Sequence, residues 1–194
     1  MYCVEKFFPA WKDSIIHESS PSTRGPSLRF KREARKYIPS QYFPGKESGE
    51  FYQGFRNENL EHLTFENNSL DLHITQDVFE HVFDPGKAFQ EIARTLKPGG
   101  AHIFTTPLVN KRRPTQWCAK KNSNGEIEQL VFPKEFHGNP ISPDGSLVTV
   151  RWGYDITSFI HHCCGLFTDM VVIDSLHYGI RAELIEVLIT RKPA

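Results

Sequence analysis

The chain has 194 residues, with 23 Lys plus Arg against 23 Asp plus Glu and a formal net charge of zero. That length suits one domain able to bury a core without disulfides or metal. The balanced charge offers no electrostatic argument for nucleic acid or an anionic membrane as partner. The short basic runs at 111–113 and 120–121 read as solvated loop. Cys3, Cys118, Cys163 and Cys164 show no CxxC spacing, and the adjacent pair is badly placed to bridge. They read as reduced thiols of a cytoplasmic protein. No basic N-terminal segment precedes a long apolar run, and no run approaches the roughly 20 residues of a membrane span.

Taken in order, residues 13–17 carry Ile15 and Ile16 and read as a buried strand ending at Glu18. A loop rich in Ser, Pro and Gly follows over 19–27, then a basic helix over 28–37. Residues 38–43 and 51–56 are the second and third strands. The strongest pattern begins at 70–75 (LDLHIT), a strand introduced by the turn-like Asn67-Asn68-Ser69. Asp84 and Pro85 read as N-cap and first residue of a helix. Ala88, Phe89, Ile92, Ala93 and Leu96 share one face of it, and Pro98-Gly99-Gly100 ends it. Residues 102–105 form the next strand. The polar text over about 108–146, broken by Pro and Gly, reads as a long excursion from a single domain spanning 1–194, and such loops are more often functional than idle. Residues 147–152 are extended, 155–164 form a helix capped by Asp155 and stopped by Gly165, and 167–176 and 184–190 are the closing strands. The alternation predicts an α/β fold with a mostly parallel sheet covered on both faces and an antiparallel hairpin at one edge.

Residues 69–107, "SLDLHITQDVFEHVFDPGKAFQEIARTLKPGGAHIFTTP", resemble the fourth strand, following helix and fifth strand of class I S-adenosylmethionine-dependent methyltransferases of the type 11 group. Asp71, Glu80, His81, Asp84, Pro85, Glu91, Lys97, Pro98, Gly99 and Gly100 carry the likeness. Upstream, "ENLEHLTFENNS" resembles the segment that reaches the adenine, and downstream "GLFTDMVVI" resembles the opening of the sixth strand. The resemblance implies a Rossmann-like methyltransferase sandwich. It also implies S-adenosylmethionine as cofactor, with S-adenosylhomocysteine as product. Ligands of such sheets bind beyond the carboxyl ends of the strands. Glu18, Gln41, Asn59, Gln76 and Asp77 are therefore expected to converge on one crevice.

The family's cofactor loop reads acidic-x-Gly-x-Gly-x-Gly, whereas this chain reads "HESSPSTRGPS". Glu18 keeps the acidic residue, Ser20 and Ser22 replace the first two glycines, Arg24 stands near the third, and Gly25 comes one place late. Gln41 lies near where the ribose-binding acid belongs, and Asn59 replaces the Asp near the adenine. Losing one charge-assisted hydrogen bond costs roughly 1.5–3 kcal/mol. Only about a dozen residues precede the first strand, which implies a short cap and a more open cofactor site. The expected cofactor contacts are Glu18, Ser20, Ser22, Gln41, Asn59, Leu60 and Gln76. "HESSP", "SQYFPG" and "EFHGNPISPDGSL" further resemble a bacterial branch whose members sit in or beside polysaccharide-modifying proteins.

Methyl transfer needs a base only where the nucleophile carries a proton. His137 in the excursion and Asp77 after the fourth strand are the candidates, while His81 reads as a helix-start packing residue. The consecutive His161, His162, Cys163 and Cys164 cannot all face one ion from a helix, so no metal is expected. Phe7, Phe8 and Trp11 read as packing residues, and Trp117 with Trp152 as an alternative platform for a sugar. Three functions remain open: methyl transfer to a small molecule or glycan, a module that has lost the cofactor, and a fold binding another nucleotide-like ligand. A homodimer is compatible with each.

Overall fold

A computed structural model describes residues 1–139 and 142–194. Helix α1 (Tyr2–Phe7) and a 3-10 turn, Pro9–Asp13, lead into β1 (Ile15–Ser19), α2 (Pro26–Glu33), β2 (Lys36–Gln41), β3 (Phe51–Tyr52), β4 (Phe55–Asn57), β5 (Leu70–Gln76), α3 (Pro85–Thr95) and β6 (Leu96–Thr105). Short strands follow: β7 (Gln116–Trp117), β8 (Ala119–Lys121), β9 (Ile127–Gln129), β10 (Phe136–Asn139), β11 (Ser142–Leu147) and β12 (Val150–Arg151). The last elements are α4 (Ile156–Cys164), β13 (Phe167–Val172) and β14 (Glu186–Arg191).

Eight strands make one sheet in the order β13-β14-β6-β5-β1-β2-β4-β3. The β1–β2, β1–β5, β2–β4 and β5–β6 pairs are parallel. β14 runs antiparallel to both β6 and β13. This is the expected Rossmann-like sandwich with its antiparallel C-terminal hairpin. Side chains alternate across it. Ile16, Leu72, Ile74, Ala101, Ile103 and Ile189 meet Trp11, Phe30, Cys3 and Val4 on one face. Phe104 and Leu188 meet Phe79, Phe89, Ile92, Trp152, Ile156 and Ile160 on the other. Each fully buried large side chain contributes roughly 1.5–3 kcal/mol.

Three buried histidines lie side by side on this second face, His17 on β1, His73 on β5 and His102 on β6. Their tautomers follow from their partners. The Thr95 hydroxyl donates to the Glu91 carbonyl at 2.9 Å, so its oxygen accepts from His73 Nε2 at 2.8 Å. Neutral His73 then offers Nδ1 as an acceptor to His17 Nδ1–H, 2.9 Å away, and His17 Nε2 accepts from Ser40 Oγ at 2.7 Å. Burial holds His17 and His102 down at about 3, and His73 well below the ordinary imidazole value.

Several boundaries differ from expectation for tertiary reasons. The helix expected over 28–37 ends at Glu33, because Lys36 and Tyr37 pair with Ile15 and Ile16 of β1. Pro39 is tolerated inside the sheet because β4 pairs with β2 only at Ser40 and Gln41. The third strand is a hairpin, β3 and β4, turned at Gln53 and Gly54, both with positive φ as a type I′ turn requires. Helix α3 is capped as expected by Asp84, which accepts from the Lys87 N–H at 2.9 Å, but it stops at Thr95, and Leu96 enters β6 opposite Leu70. Asp155 does not cap α4 with its side chain; it accepts from the Thr115 N–H and hydroxyl instead. Residues 116–151 carry three two-stranded sheets, β8–β9, β10–β11 and β7–β12. Trp152 is fully buried, so it packs in the core and cannot form a sugar platform with Trp117. All four cysteines are free thiols. Among the described residues no helix is long and apolar enough to cross a membrane.

Candidate functional site

The carboxyl ends of β1, β2, β4 and β5 open on a cleft of about 830 Å³. Ser19 and Ser20 enter it after β1, Gln41 and Tyr42 after β2, Asn59 and Leu60 after β4, and Asp77 and His81 after β5. The β10–β11 hairpin supplies Gly138, Asn139 and Leu147 from the far side. Ser20 is held at φ 55, the left-handed region usually left to glycine. Its hydroxyl donates to Gln41 Oε1 at 3.2 Å, joining the ends of β1 and β2. Asn59 folds into a turn in which its Oδ1 accepts from the Glu61 N–H at 3.0 Å. Asp77, also left-handed at φ 52, accepts from the Thr105 hydroxyl at 3.1 Å.

A family model described as a methyltransferase domain matches residues 30–104. Glycine/sarcosine/dimethylglycine N-methyltransferase from Actinopolyspora halophila is 35% identical over 68 residues, which are 35% of this chain and 11% of that protein. The chain thus spans about a tenth of that relative. Among solved structures, an S-adenosylmethionine-dependent methyltransferase from Mesorhizobium loti is similar with a TM-score of 0.60 and 13% identity, over 98% of this chain and 96% of its own. The 1,6-didemethyltoxoflavin-N1-methyltransferase of Burkholderia thailandensis, solved with 1,6-didemethyltoxoflavin and S-adenosylhomocysteine bound, reaches 0.56 at 10% identity, over 100% and 76%. The match to the methyltransferase domain family is thus confined to residues 30–104, and the solved structures share the fold of the chain.

In this methyltransferase-like chain the residues expected to meet in one crevice divide. Ser20, Gln41, Asn59, Leu60 and Asp77 line the cleft. Glu18 lies behind it, fully buried, and takes three donors: Ser27 Oγ at 2.8 Å, Gln76 Nε2 at 2.7 Å and the Tyr37 hydroxyl at 2.6 Å. Burial raises its carboxyl above the usual range, and the three hydrogen bonds oppose that shift. Ser22 points its N–H at Ser27 Oγ, 3.0 Å away, and so stitches the altered loop to Glu18. Gln76 borders a separate cavity of about 440 Å³ with Phe30 and Thr105. Gly25, one place late, is the N-cap of α2 with φ 61.

His137 on β10 stands beside the cleft, its ring edge-on to His81 with centroids 5.1 Å apart. The excursion therefore brings His137 against His81. Sequence reasoning missed three acids nearby. Glu58 is buried at the end of β4 and holds Arg56 at 2.6 Å. Glu80 is buried beside His81, and Glu135 lies 3.4 Å from His137 Nε2 while Arg151 grips it at 2.8 Å. The signal available was spacing: Glu80 adjoins His81, and Glu135 is two residues from His137.

Proposed function

We propose that the cleft binds S-adenosylmethionine and that the protein transfers its methyl group to a small-molecule or glycan acceptor, leaving S-adenosylhomocysteine. The observation that carries this reading is the meeting of Ser20, Gln41, Asn59 and Asp77 around one cleft at the carboxyl ends of four neighbouring strands. The donor set fits such a molecule. Left-handed Ser20 presents its backbone where the family's glycine stands. Gln41 offers an amide to ribose hydroxyls, and Asn59 and Leu60 offer a polar and an apolar contact to an adenine. The Actinopolyspora halophila N-methyltransferase and the Burkholderia thailandensis enzyme are both named for small molecules, which supports an acceptor of that class.

The chemistry supplied by the bound cofactor is an activated methyl group. The work of the chain is positioning and desolvation. Glu18 fixes the loop through Ser27 and Ser22, so the backbone around Ser20 is set before ligand arrives. Asp77 and His137 are the groups we place at the acceptor end, where Asp77 is oriented by Thr105.

Calorimetry with S-adenosylmethionine and S-adenosylhomocysteine tests the reading. Binding with a micromolar dissociation constant is expected, weakened at least tenfold by Gln41→Ala. Silence at millimolar ligand would overturn it and leave the second reading, a module that has lost the cofactor. That reading draws on neutral Gln41 standing where the family places an acid.

A further inference from the structure

The Glu80 carboxylate is 2% exposed, and its two oxygens are treated differently. Oε2 accepts from the Thr106 hydroxyl at 3.0 Å. Oε1 is buried and, among the described residues, has no hydrogen-bond partner. It faces His81 Nε2 and His137 Nδ1, each 3.7 Å away, too far for hydrogen bonds.

Both rings are oriented from behind. His81 Nδ1 lies 2.9 Å from the Leu147 carbonyl, which can only accept, so Nδ1 carries the proton and Nε2 turns its lone pair toward Glu80. His137 Nε2 lies 3.4 Å from Glu135 Oε1, so its proton points to that carboxylate and Nδ1 turns inward. Arg151 clamps Glu135 at 2.8 and 3.0 Å. Three lone pairs thus converge on one point from a buried acid and two outward-braced imidazoles. Without a positive charge between them they repel.

We propose that Glu80, His81 and His137 bind one divalent transition-metal cation of the zinc, cobalt, manganese or iron(II) class. Two imidazoles and one carboxylate are an established donor set for these ions. Donors about 2.1 Å from a tetrahedral ion lie roughly 3.4 Å apart. The three ligand atoms already lie within 4.8 Å of one another, so closing any pair by no more than about 1.4 Å suffices. The outer partners Leu147, Glu135 and Thr106 match the support that metal-binding histidines and acids normally receive.

Three protein ligands leave coordination positions open, and His81 borders the cleft. A cation there would hold an acceptor oxygen or water at the end of the cleft opposite Ser20. That use rests on the methyl-transfer reading; the metal site itself does not.

Chelator-treated protein titrated with Co²⁺ tests the site, read by visible ligand-field absorption and by competition with Zn²⁺. One Co²⁺ per chain is expected, with no cofactor added. Glu80→Gln and His81→Ala should abolish the absorption. His137→Ala, on a partly exposed hairpin and so least disturbing to the fold, should weaken binding at least tenfold with the melting temperature unchanged. Absence of a stoichiometric band, or equal Co²⁺ binding by wild type and His137→Ala, overturns the proposal. Cofactor binding measured separately keeps the two readings distinct, since Co²⁺ binding without S-adenosylmethionine binding would sink only the methyl-transfer reading.

Discussion

Gln76 Nε2 donates to Glu18 Oε1 at 2.7 Å, tying the end of β5 to the end of β1 beneath the altered loop. The acid that the resemblance places in the cofactor site is thereby a buried anchor that shapes the site from behind.

The first prediction follows from that anchor. Glu18→Ala leaves the Ser27, Tyr37 and Gln76 donors unpaired in a buried space. A loss on the order of 3 kcal/mol is expected in urea unfolding. Loop 20–25 should become more protease-sensitive. A loss below about 0.5 kcal/mol would show that Glu18 anchors nothing.

On the proposed reading, Gln41 lies near where the family's ribose acid belongs. A carboxylate at 41 would still accept from the Ser20 hydroxyl and would add charge assistance to a ribose hydroxyl. Gln41→Glu is therefore expected to tighten S-adenosylhomocysteine binding about tenfold by calorimetry. Weaker binding would mean that the ribose lies elsewhere.

The histidine row makes stability depend on pH. His17, His73 and His102 have depressed values in the folded state, whereas the unfolded chain titrates near the ordinary 6.5. The unfolded state therefore takes up protons first, and their contribution is full above about pH 6.5 and is lost as pH falls toward 3. Each histidine adds a slope of about 1.4 kcal/mol per pH unit within that window. Denaturation midpoints between pH 7.5 and 5 measure it. Thr75→Val with His102→Leu removes one ring and its partner, 3.0 Å apart, and should flatten the slope by roughly one proton. An unchanged slope would contradict the assignment.

Gly145 has φ 76, and a Cβ there would lie 2.5 Å from the His137 carbonyl oxygen. Gly145→Ala should displace β10 against β11 and reduce Co²⁺ affinity at least tenfold, while costing about 1–3 kcal/mol of global stability. Intact Co²⁺ binding in this variant would show that the hairpin does not set the position of His137.

The half of the fold from Leu70 to Thr105 was legible because its signals are local. Asp84 caps its helix through the next few residues, and Ala88, Phe89 and Ile92 sit at helical spacing. The first half was read less well because its elements are set by partners. Tyr37 leaves the basic helix pattern to pair with Ile16, and β3–β4 turns on Gln53, which no propensity marks. The cleft-lining positions Gln41, Asn59 and Asp77 followed from strand ends, and Ser20 from the resemblance of its loop. The role of Glu18 did not, because two of its donors come from β2 and β5. The surroundings of Glu80 were hidden for the same reason. Its neighbours Thr106 and His137 reach it only once β6 ends and the excursion folds back.

The place of β14 in the sheet has a consequence for how the molecule is assembled. Glu186–Arg191 lies between β6 and β13, so the latest-synthesised of these strands fills an interior slot. Until residues past 190 exist, β6 presents an unpaired edge and Phe104 lacks Leu188 opposite it. A nascent chain halted before Glu186 would carry two exposed strand edges, an invitation to self-association that the finished molecule has sealed.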